Sequence, residues 1–155
     1  MKIQILTTKN IDLLIGLEQD ARISEPEIFT EAFDTDKVRQ TTSTALANPD
    51  FTSARCIMCI NDTDRAVGRI DFAILPSFSF GGNVQAYVDW VYVLKEYRHK
   101  GIAQFLFTQM GEYLKGLGIH EYFLHMANNS DAQRFYRSLS GAVIESCDVL
   151  RMRVM

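Results

Sequence analysis

The sequence predicts a mixed α/β fold of the α+β type, in which helices cover both faces of a mostly antiparallel central sheet. Two strand-like runs separated by a four-residue turn indicate an antiparallel hairpin. Later strands alternate with amphipathic helices, which indicates crossover connections. A length of 155 residues suits one domain, because two would each be too small for a good core. We therefore expect residues 1–155 to form a single domain.

The first half of the chain is predicted to hold a strand, two helices and the hairpin. A strand over residues 2–6 precedes a helix that Asn10 is expected to cap and that Pro26 interrupts. The second helix covers residues 35–47 and ends before the Asn-Pro-Asp turn at 48–50. The hairpin strands are residues 54–60 and 66–75, and a loop over 76–83 follows them.

The second half is predicted to continue with a strand over 86–94 and a helix over 101–115. A strand over 120–127 comes next, then a helix capped by Asn128 or Asn129, and a last strand over 149–154. Apolar residues recur at helical spacing in the helix over 101–115, so one of its faces should be buried. These residues are Ile102, Phe105, Leu106, Met110, Tyr113, Leu114 and Leu117.

Composition narrows the class of protein. A net charge of -3 argues against a nucleic-acid partner, because such binding relies on an excess of Lys and Arg. The chain contains no apolar run near the ~20 residues of a membrane span and no signal peptide, which favours a cytoplasmic protein. Cys56 and Cys59 form a C-x-x-C pair in an apolar run without a second pair. We expect these cysteines to pack in the core rather than bind a metal.

The most informative segment is a strand, a basic turn and a helix start over residues 91–103. Such a turn directs several backbone N–H groups to one place, where the positive end of the helix dipole also lies. Gly101 permits a close backbone approach, and Arg98, His99 and Lys100 add positive charge. These features suit a pyrophosphate, although a solvated charge cluster at an ordinary helix start has the same appearance.

Two motifs resemble those of the GNAT acetyltransferases. The residues from Arg98 to Ala103 read R-H-K-G-I-A, which is similar to the family signature R/Q-x-x-G-x-G/A. The residues from Asn129 to Leu139 resemble the family segment N-x-x-A-x-x-F/Y-Y-x-x-L-G-F, although Ser140-Gly141-Ala142 follows Leu139 here. The resemblance implies a GNAT-type sheet and an N-acetyltransferase that uses acetyl-CoA and no metal. It also makes a homodimer the expected assembly.

The same resemblance assigns roles to individual residues. The backbones of Val91 and Val93 would pair with the pantetheine arm of acetyl-CoA, and the amides of the turn would hold its pyrophosphate. Asn129 would help to bind the donor, and Tyr136 would lie near its sulfur. The implied donor-binding residues are Val91, Val93, Arg98, His99, Lys100, Gly101, Ile102, Ala103, Asn129 and Tyr136.

Acetyl transfer to an amine requires a group that takes a proton, because an alkylammonium with a pKa near 10 is protonated at neutral pH. Asp89, on the strand that leads to the turn, is the first candidate, and Asp71 is the second. Tyr136 is expected to protonate the departing thiolate as a general acid. The alternative for Tyr136 is packing, and the alternative for Asp89 is that it faces solvent or caps a neighbour. His125 is expected to be a core histidine rather than a base.

The acceptor is expected to be a small cationic amine. Seven acids stand against one base between residues 18 and 36, and in the GNAT family this region generally walls the acceptor site. The run over 87–93 also resembles aminoglycoside N-acetyltransferases, which favours an aminoglycoside or polyamine. A solvated helical face explains the acids equally well. The acids are Glu18, Asp20, Glu25, Glu27, Glu31, Asp34 and Asp36, and aromatic candidates for the acceptor cleft are Phe72, Phe78, Phe80, Tyr87 and Trp90.

Other functions remain open from the sequence. The acceptor could be a peptide amine or another metabolite, and the chain could bind acetyl-CoA as a sensor without turnover. A dinucleotide-binding domain is disfavoured, because the three-glycine fingerprint is missing and the strand-turn-helix segment comes late in the chain.

Overall fold

The computed structural model describes residues 1–51, 53–77, 84–126, 129–146 and 151–153. Within these ranges the chain forms five strands and four α-helices, with short 3-10 helices at Pro49–Phe51 and Lys95–Tyr97. No helix in them is long and apolar enough to cross a bilayer. The elements in chain order are β1 (Lys2–Ile5), α1 (Ile11–Ser24), α2 (Thr35–Ala47), β2 (Ala54–Ile60), β3 (Ala66–Pro76), β4 (Val84–Val93), α3 (Ile102–Gly116), β5 (Tyr122–Leu124) and α4 (Ser130–Ser138).

The five strands form one sheet in the order β1-β2-β3-β4-β5. The first three pairings are antiparallel, and only β4 and β5 run parallel. A parallel neighbour requires a crossover connection, which α3 supplies between β4 and β5. The predicted fold class, a mixed and mostly antiparallel sheet with helices, is confirmed.

Helices cover both faces of the sheet, as the alternating side chains of β3 demonstrate. Gly68 and Phe72 face α3, because a Cβ at Gly68 would lie 3.2 Å from Ile102 and the Phe72 ring packs edge-on against Tyr113. Arg69, between them in sequence, points to the opposite face and pairs with Glu18 of α1. Successive strand residues point to opposite faces, so α1 and α3 sandwich the sheet.

The core lies between the sheet and the helices α1 and α3. The fully buried side chains include Ile57, Met58, Ile70, Leu106 and Met110. By contrast, α2 contributes no buried side chain in the described part of the protein. The helix α2 therefore packs against α1 outside the core.

Most predicted elements are confirmed, with the second helix and the first hairpin strand at their predicted bounds. Burial in α3 was partly mispredicted, because Phe107 is buried while Leu117, past the helix end, is 53% exposed. Asn10 is the N-cap residue of α1 as predicted, but its side chain accepts a hydrogen bond from the Thr7 amide at 2.7 Å rather than from a helix amide. The strand predicted over 120–127 is only three residues long. Residues 151–153 of the last predicted strand do not form a strand, and the other residues of that prediction lie outside the described residues.

The residues Met1–His125 and Met126–Met155 form two compact units. The single-domain assignment stays a prediction. In the second unit, Asn129 caps α4 by accepting a hydrogen bond from the Ala132 amide at 2.8 Å. The turn that departs from the expected motif is closed by a bond of 3.2 Å from the Ala142 amide to the Leu139 carbonyl, with Gly141 at φ 79°.

Candidate active site

A β-bulge in β4 places two carboxylates on the same stretch of the sheet. Asp71 of β3 is paired with Trp90, but the next residue, Phe72, is paired with Val88. Asp89 is therefore an extra residue in β4, opposite no residue of β3. A bulge of this kind redirects side chains and is common beside active sites. It brings Asp89 next to Asp71, the two residues predicted as candidate bases.

Beyond the bulge, β4 has an unpaired edge. Its parallel pairing with β5 ends at Val88 opposite Leu124, while β4 itself continues to Val93. Within the described residues, no strand is paired with Val91 and Val93 on that side. Unpaired N–H and C=O groups of an edge strand readily bond to an added extended segment. The two valines predicted to contact the pantetheine arm thus have backbone positions that suit an extended ligand.

The basic turn after β4 leads into the N-terminus of α3. His99 and Gly101 both take positive φ values, 58° and 78°, and Gly101 is the N-cap. The first helical bond runs from Phe105 N to Gly101 O, and no side chain caps the helix. The amides of Ile102, Ala103 and Gln104 therefore lack acceptors within the helix. A Cβ added at Gly101 would meet no described atom within 4 Å, so the space before these amides is open.

Arg98 is held by a buried carboxylate rather than projecting from the turn. Its Nη1 donates to Oε1 of Glu25 at 2.8 Å, its Nη2 donates to Oε2, and its Nε donates to the Val93 carbonyl at 3.0 Å. The Tyr92 hydroxyl also donates to Glu25, at 2.8 Å. Burial would raise the pKa of Glu25, but the hydrogen bonds from Arg98 and Tyr92 and the positive charges nearby lower it. The side chains of His99 and Lys100 remain exposed, with Lys100 Nζ 5.2 Å from the Tyr97 ring centre.

A cleft of about 510 Å³ lies on the α1 face of the sheet. Residues of α2 form one wall, and the strands β2, β3 and β4 form the floor. Asp71 and Asp89 both border it, as do Arg69 and Tyr87. Of the aromatic residues predicted for such a cleft, Phe72 and Tyr87 border it and Trp90 does not. Phe78 and Phe80 lie outside the described residues.

Asp71 is the more constrained of the two cleft carboxylates. Its Oδ2 lies 3.3 Å from Arg69 Nε, and Arg69 is also bonded to Glu18 Oε1 at 2.8 Å. Its Oδ1 is buried and has no hydrogen-bond partner among the described residues. Burial raises the pKa of Asp71, and the charges of Asp89 and Glu18 add to the effect, while Arg69 and the Cys56 thiol partly oppose it. Asp71 therefore retains an oxygen that can accept a proton or a hydrogen bond.

Asp89 and His125 differ in their surroundings. Asp89 is exposed and forms no hydrogen bond or ion pair with any residue that the structure describes. His125 was expected in the core, and that prediction is wrong, because the residue is exposed and follows the end of β5. Its Nδ1 lies 3.1 Å from the Tyr87 hydroxyl. The short β5 explains the difference, since only three of the residues predicted for this strand enter the sheet.

Three of the seven acids between residues 18 and 36 are paired with arginines. Glu18 is paired with Arg22 and Arg69, Asp20 with Arg65, and Glu25 with Arg98. Asp34 caps α2 by accepting a hydrogen bond from the Lys37 amide at 3.0 Å. The negative charge that borders the cleft thus comes from Asp71 and Asp89 rather than from this segment.

The remaining predicted residues, Asn129 and Tyr136, lie in the second unit. The side-chain oxygen of Asn129 is used in capping α4. Tyr136 is half-buried, its ring centre is 5.5 Å from that of Phe135, and burial raises its pKa. A phenol with a raised pKa keeps its proton at neutral pH, as a proton donor requires.

Two residues at the site, Arg69 and Cys56, were not assigned to it from the sequence, and Glu25 was assigned only to the acidic wall of the acceptor site. A visible signal existed for Arg69, because a charged residue in an apolar strand needs a partner. Cys56 is buried beside Asp71, its partner across the strands, and burial together with the Asp71 charge raises the pKa of its thiol well above the ordinary value. The prediction that Cys56 and Cys59 pack in the core is confirmed. The part of the chain that is described contains no group of three acid, histidine or cysteine side chains able to hold a metal.

Comparisons with known proteins agree with this geometry. The ribosomal-protein-alanine N-acetyltransferase of Brucella melitensis biovar Abortus 2308 superposes with a TM-score of 0.73 at 20% identity, covering 98% of this chain and 100% of that one. An aminoglycoside acetyltransferase from an uncultured soil metagenomic sample, in complex with sisomicin, gives 0.77 at 16% identity, with 99% and 96% covered. The aminoglycoside 6'-N-acetyltransferase of Acinetobacter haemolyticus gives 0.70 at 17% identity, with 99% of each chain covered. At these identities the likeness concerns the fold.

The sequence comparisons are more specific about the family. No curated protein matches the chain. The model of the acetyltransferase (GNAT) family matches residues 18–141, which include the bulge, the turn at Gly101 and α4. The match spans well over half of the chain, and the protein therefore belongs to the GNAT family of acetyltransferases.

Proposed function

We propose that the protein transfers the acetyl group of acetyl-CoA to the primary amine of a small cationic molecule, by direct attack in a ternary complex. The observation that carries this proposal is the continuity of the unpaired β4 edge with the open amides at the start of α3. An extended pantetheine arm would pair with Val91 and Val93 and bring its pyrophosphate to Gly101, Ile102 and Ala103. This arrangement would place the thioester near the bulge at Asp89.

The proton of the ammonium requires an acceptor, and Asp71 and Asp89 are in position to share that role. We assign proton acceptance to Asp71, because its desolvated Oδ1 and raised pKa make it the stronger base. Asp89, exposed and unpaired among the described residues, would attract the ammonium into the cleft. The nitrogen lone pair then forms the new N–C bond as the C–S bond breaks.

Tyr136 would stabilise the departing thiolate. Even at its ordinary pKa of about 10, a phenol is a weaker acid than a thiol with a pKa near 8.5, so full proton transfer is uphill by about 2 kcal/mol. Burial raises the pKa of Tyr136 further. We infer that the hydroxyl acts first as a hydrogen-bond donor to the sulfur and gives up its proton only as negative charge accumulates there.

The identity of the acceptor has several candidates within this proposal. Aminoglycosides and polyamines follow from the sequence resemblance, and two structural relatives are aminoglycoside acetyltransferases. A peptide amine is the alternative, since another relative is a ribosomal-protein-alanine N-acetyltransferase. We also propose that the protein is cytoplasmic and that it forms a homodimer.

Thermal unfolding with acetyl-CoA tests the donor site. A ligand that binds only the folded state, present at about 100 times its Kd, adds about 2.7 kcal/mol to the free energy of unfolding. The midpoint temperature of unfolding should therefore rise clearly. Gly101→Ala should reduce this rise, because a Cβ at φ 78° strains the turn and intrudes before the amides. Gly118→Ala is the matched control, since Gly118 has φ 73° at the other end of α3. Equal responses of the two variants to acetyl-CoA would contradict the assignment, as would no shift for the unmodified protein.

Release of CoA measures transfer itself. A rise in the midpoint with acetyl-CoA, without release of free thiol across a broad amine panel, would indicate a binding module rather than an enzyme. Thiol release that depends on the amine would support transfer.

A further inference from the structure

The acceptor cleft combines an apolar wall with a carboxylate end. Leu14 of α1, together with Ala45 and Leu46 of α2, faces the cleft, and Phe51 lies beside them. Leu46 is 38% and Phe51 53% exposed, so large apolar groups at the cleft are left uncovered. Among the described residues, Asp71 and Asp89 are the acidic side chains that border it. The cleft therefore offers two different chemical environments to one ligand.

Small side chains of α2 contribute to the space in the cleft. Thr41, Thr42 and Ala45 line the cleft from α2, and none of them reaches the core. Larger residues at these positions would fill the space between α2 and the sheet. The volume of about 510 Å³ falls within the range of small-molecule sites, which is about 300 to 1,000 Å³.

The cations at the cleft are already engaged. Arg69 is bonded to Glu18 and Asp71, as described above. Arg55 donates from Nε to the Tyr113 hydroxyl and from Nη1 to the Ala54 carbonyl, both at 2.8 Å. The carboxylates, by contrast, retain an unbonded oxygen at Asp71 and an unpaired group at Asp89 within the described residues. A ligand with one positive charge at this end would complement the cleft.

A polyhydroxylated ligand fits these walls poorly. The sugar hydroxyls of an aminoglycoside would lose water against Leu14, Leu46 and Phe51 without gaining hydrogen bonds, which costs free energy for each group. A polyamine would place its second ammonium against the same apolar surface. An alkyl or arylalkyl chain would instead gain about 25 cal/mol for each Å² of apolar surface removed from water.

We propose that the preferred acceptor is an amphiphilic primary monoamine, with its ammonium at Asp71 and Asp89 and an alkyl or aryl body against the wall formed by Leu14, Ala45, Leu46 and Phe51. This inference rests on the proposed function, because it assigns the substrate class of the same transferase site. It replaces the aminoglycoside or polyamine suggested by the sequence.

A series of amines in the unmodified protein tests the inference. Release of CoA is measured with ethylamine, hexylamine, 2-phenylethylamine, spermidine, sisomicin and a short peptide that begins with alanine. Ethylamine and hexylamine carry the same reactive group, so a difference between them reports on the apolar body. We expect kcat/KM to be at least about tenfold higher for hexylamine and 2-phenylethylamine than for ethylamine. We also expect both to exceed spermidine, sisomicin and the peptide.

A matched pair of variants locates the apolar body. Ala45→Phe would fill the cleft, whereas Ala47→Phe, two residues along α2, changes an exposed residue that does not border it. Ala45→Phe should lower the ratio of kcat/KM for hexylamine to that for ethylamine by about tenfold. Ala47→Phe should leave the ratio unchanged. If Ala45→Phe fails to fold, the series in the unmodified protein decides.

The outcomes separate this inference from the proposed function. Efficient transfer to sisomicin, spermidine or the peptide, with hexylamine no better than ethylamine, would overturn the inference and leave the transferase function standing. The inference would also be overturned if Ala45→Phe and Ala47→Phe both fold and have equal ratios of kcat/KM for hexylamine to ethylamine. Absence of CoA release with every amine, although acetyl-CoA binds, would overturn the transferase function and this inference together.

Discussion

Glu25, at the end of α1, binds the guanidinium of Arg98, which precedes the start of α3 by four residues. The two residues are 73 positions apart in sequence and share two hydrogen bonds. Arg98 also bonds the Val93 carbonyl at the end of β4. The pair therefore connects the helix beside the acceptor cleft with the turn proposed to bind the donor.

Glu25→Gln should destabilise the protein and weaken acetyl-CoA binding. Removing one partner of a buried ion pair costs about 3 to 5 kcal/mol, and we expect about 2 kcal/mol here because water reaches part of Arg98. The pKa of Glu25 is lowered in the folded state, so its stabilisation is present at neutral pH and is lost as the pH falls below the ordinary value of 4.5. The variant should unfold at a lower temperature than the unmodified protein at pH 7, and this difference should disappear at pH 3.

The exposed Glu27 supplies the control for this variant, because Glu27→Gln alters the same residue type two positions along. An equal loss of unfolding temperature in both variants would mean that the pair with Arg98 does not stabilise the fold. A loss in Glu25→Gln that persists at pH 3 would mean the same. A higher KM for acetyl-CoA in Glu25→Gln alone would support its connection to the donor turn.

Asp71→Asn should stabilise the protein at neutral pH while it lowers turnover. Burial raises the pKa of Asp71, so the fold favours the protonated form, and the ionised form is penalised as the pH rises through that pKa. The variant should therefore unfold at a higher temperature than the unmodified protein at pH 7, with no difference below pH 3.8. We expect kcat/KM to fall by about 100-fold, as for loss of a general base.

Asp89→Asn distinguishes the two carboxylates. Its loss of activity should be smaller, and it should shrink as the pH rises from neutral toward about 10, where the amine begins to lose its proton without help. In the unmodified protein, activity should decline on acidification through the raised pKa of Asp71. A larger loss from Asp89→Asn than from Asp71→Asn would reverse the assignment of the base, and flat pH profiles would remove both residues from proton transfer.

Gly68→Ala should cost about 1 to 3 kcal/mol, because the new methyl group overpacks the contact between the sheet and α3. It would lie 3.0 Å from the Tyr92 carbonyl oxygen and 3.2 Å from side-chain carbons of Ile102 and Val93. Gly111→Ala should instead gain about 0.5 to 1 kcal/mol, since it lies in α3 with no described atom within 4 Å of the added Cβ. Denaturant unfolding measures both, and equal effects would contradict the close approach at Gly68.

Tyr136→Phe should lower kcat by about 100-fold and leave the Kd of acetyl-CoA nearly unchanged, because only the phenolic hydroxyl group is lost. Tyr122→Phe is the control, since burial also raises the pKa of Tyr122, a residue of β5 with no proposed role. Single-turnover rates and acetyl-CoA titrations measure the two effects. An unchanged kcat for Tyr136→Phe would remove the hydroxyl from the mechanism.

Local signals allowed much of the fold to be predicted from the sequence. The helix α2 begins after Asp34, whose side chain caps it, and ends before a proline turn, so both of its ends are marked by nearby residues. The strand β5 carries no comparable mark. Its length depends on where its pairing with β4 ends, which is at Val88. The sequence of one segment does not indicate where such a pairing ends.

The site was predicted in part for the same reason. Gly101 and the basic residues around it form a local motif, and their position before α3 is as expected. The bulge at Asp89 depends on the register between two strands, and the bond of Arg98 to Glu25 depends on a contact between distant segments. The acidic run before α2 suggested a pocket for a cation, but three of its acids, Glu18, Asp20 and Glu25, are bound to arginines from other elements, which local sequence cannot indicate.

Because α2 buries none of its side chains, amino-acid changes along its inner face should have little effect on folding. In the proposed function, selectivity for the amine would thus depend on a segment that contributes no buried side chain to the core. Libraries randomised at Thr41, Thr42 and Ala45 should therefore yield mostly folded proteins with altered preferences, which makes this helix a suitable starting point for directed evolution toward new acceptors.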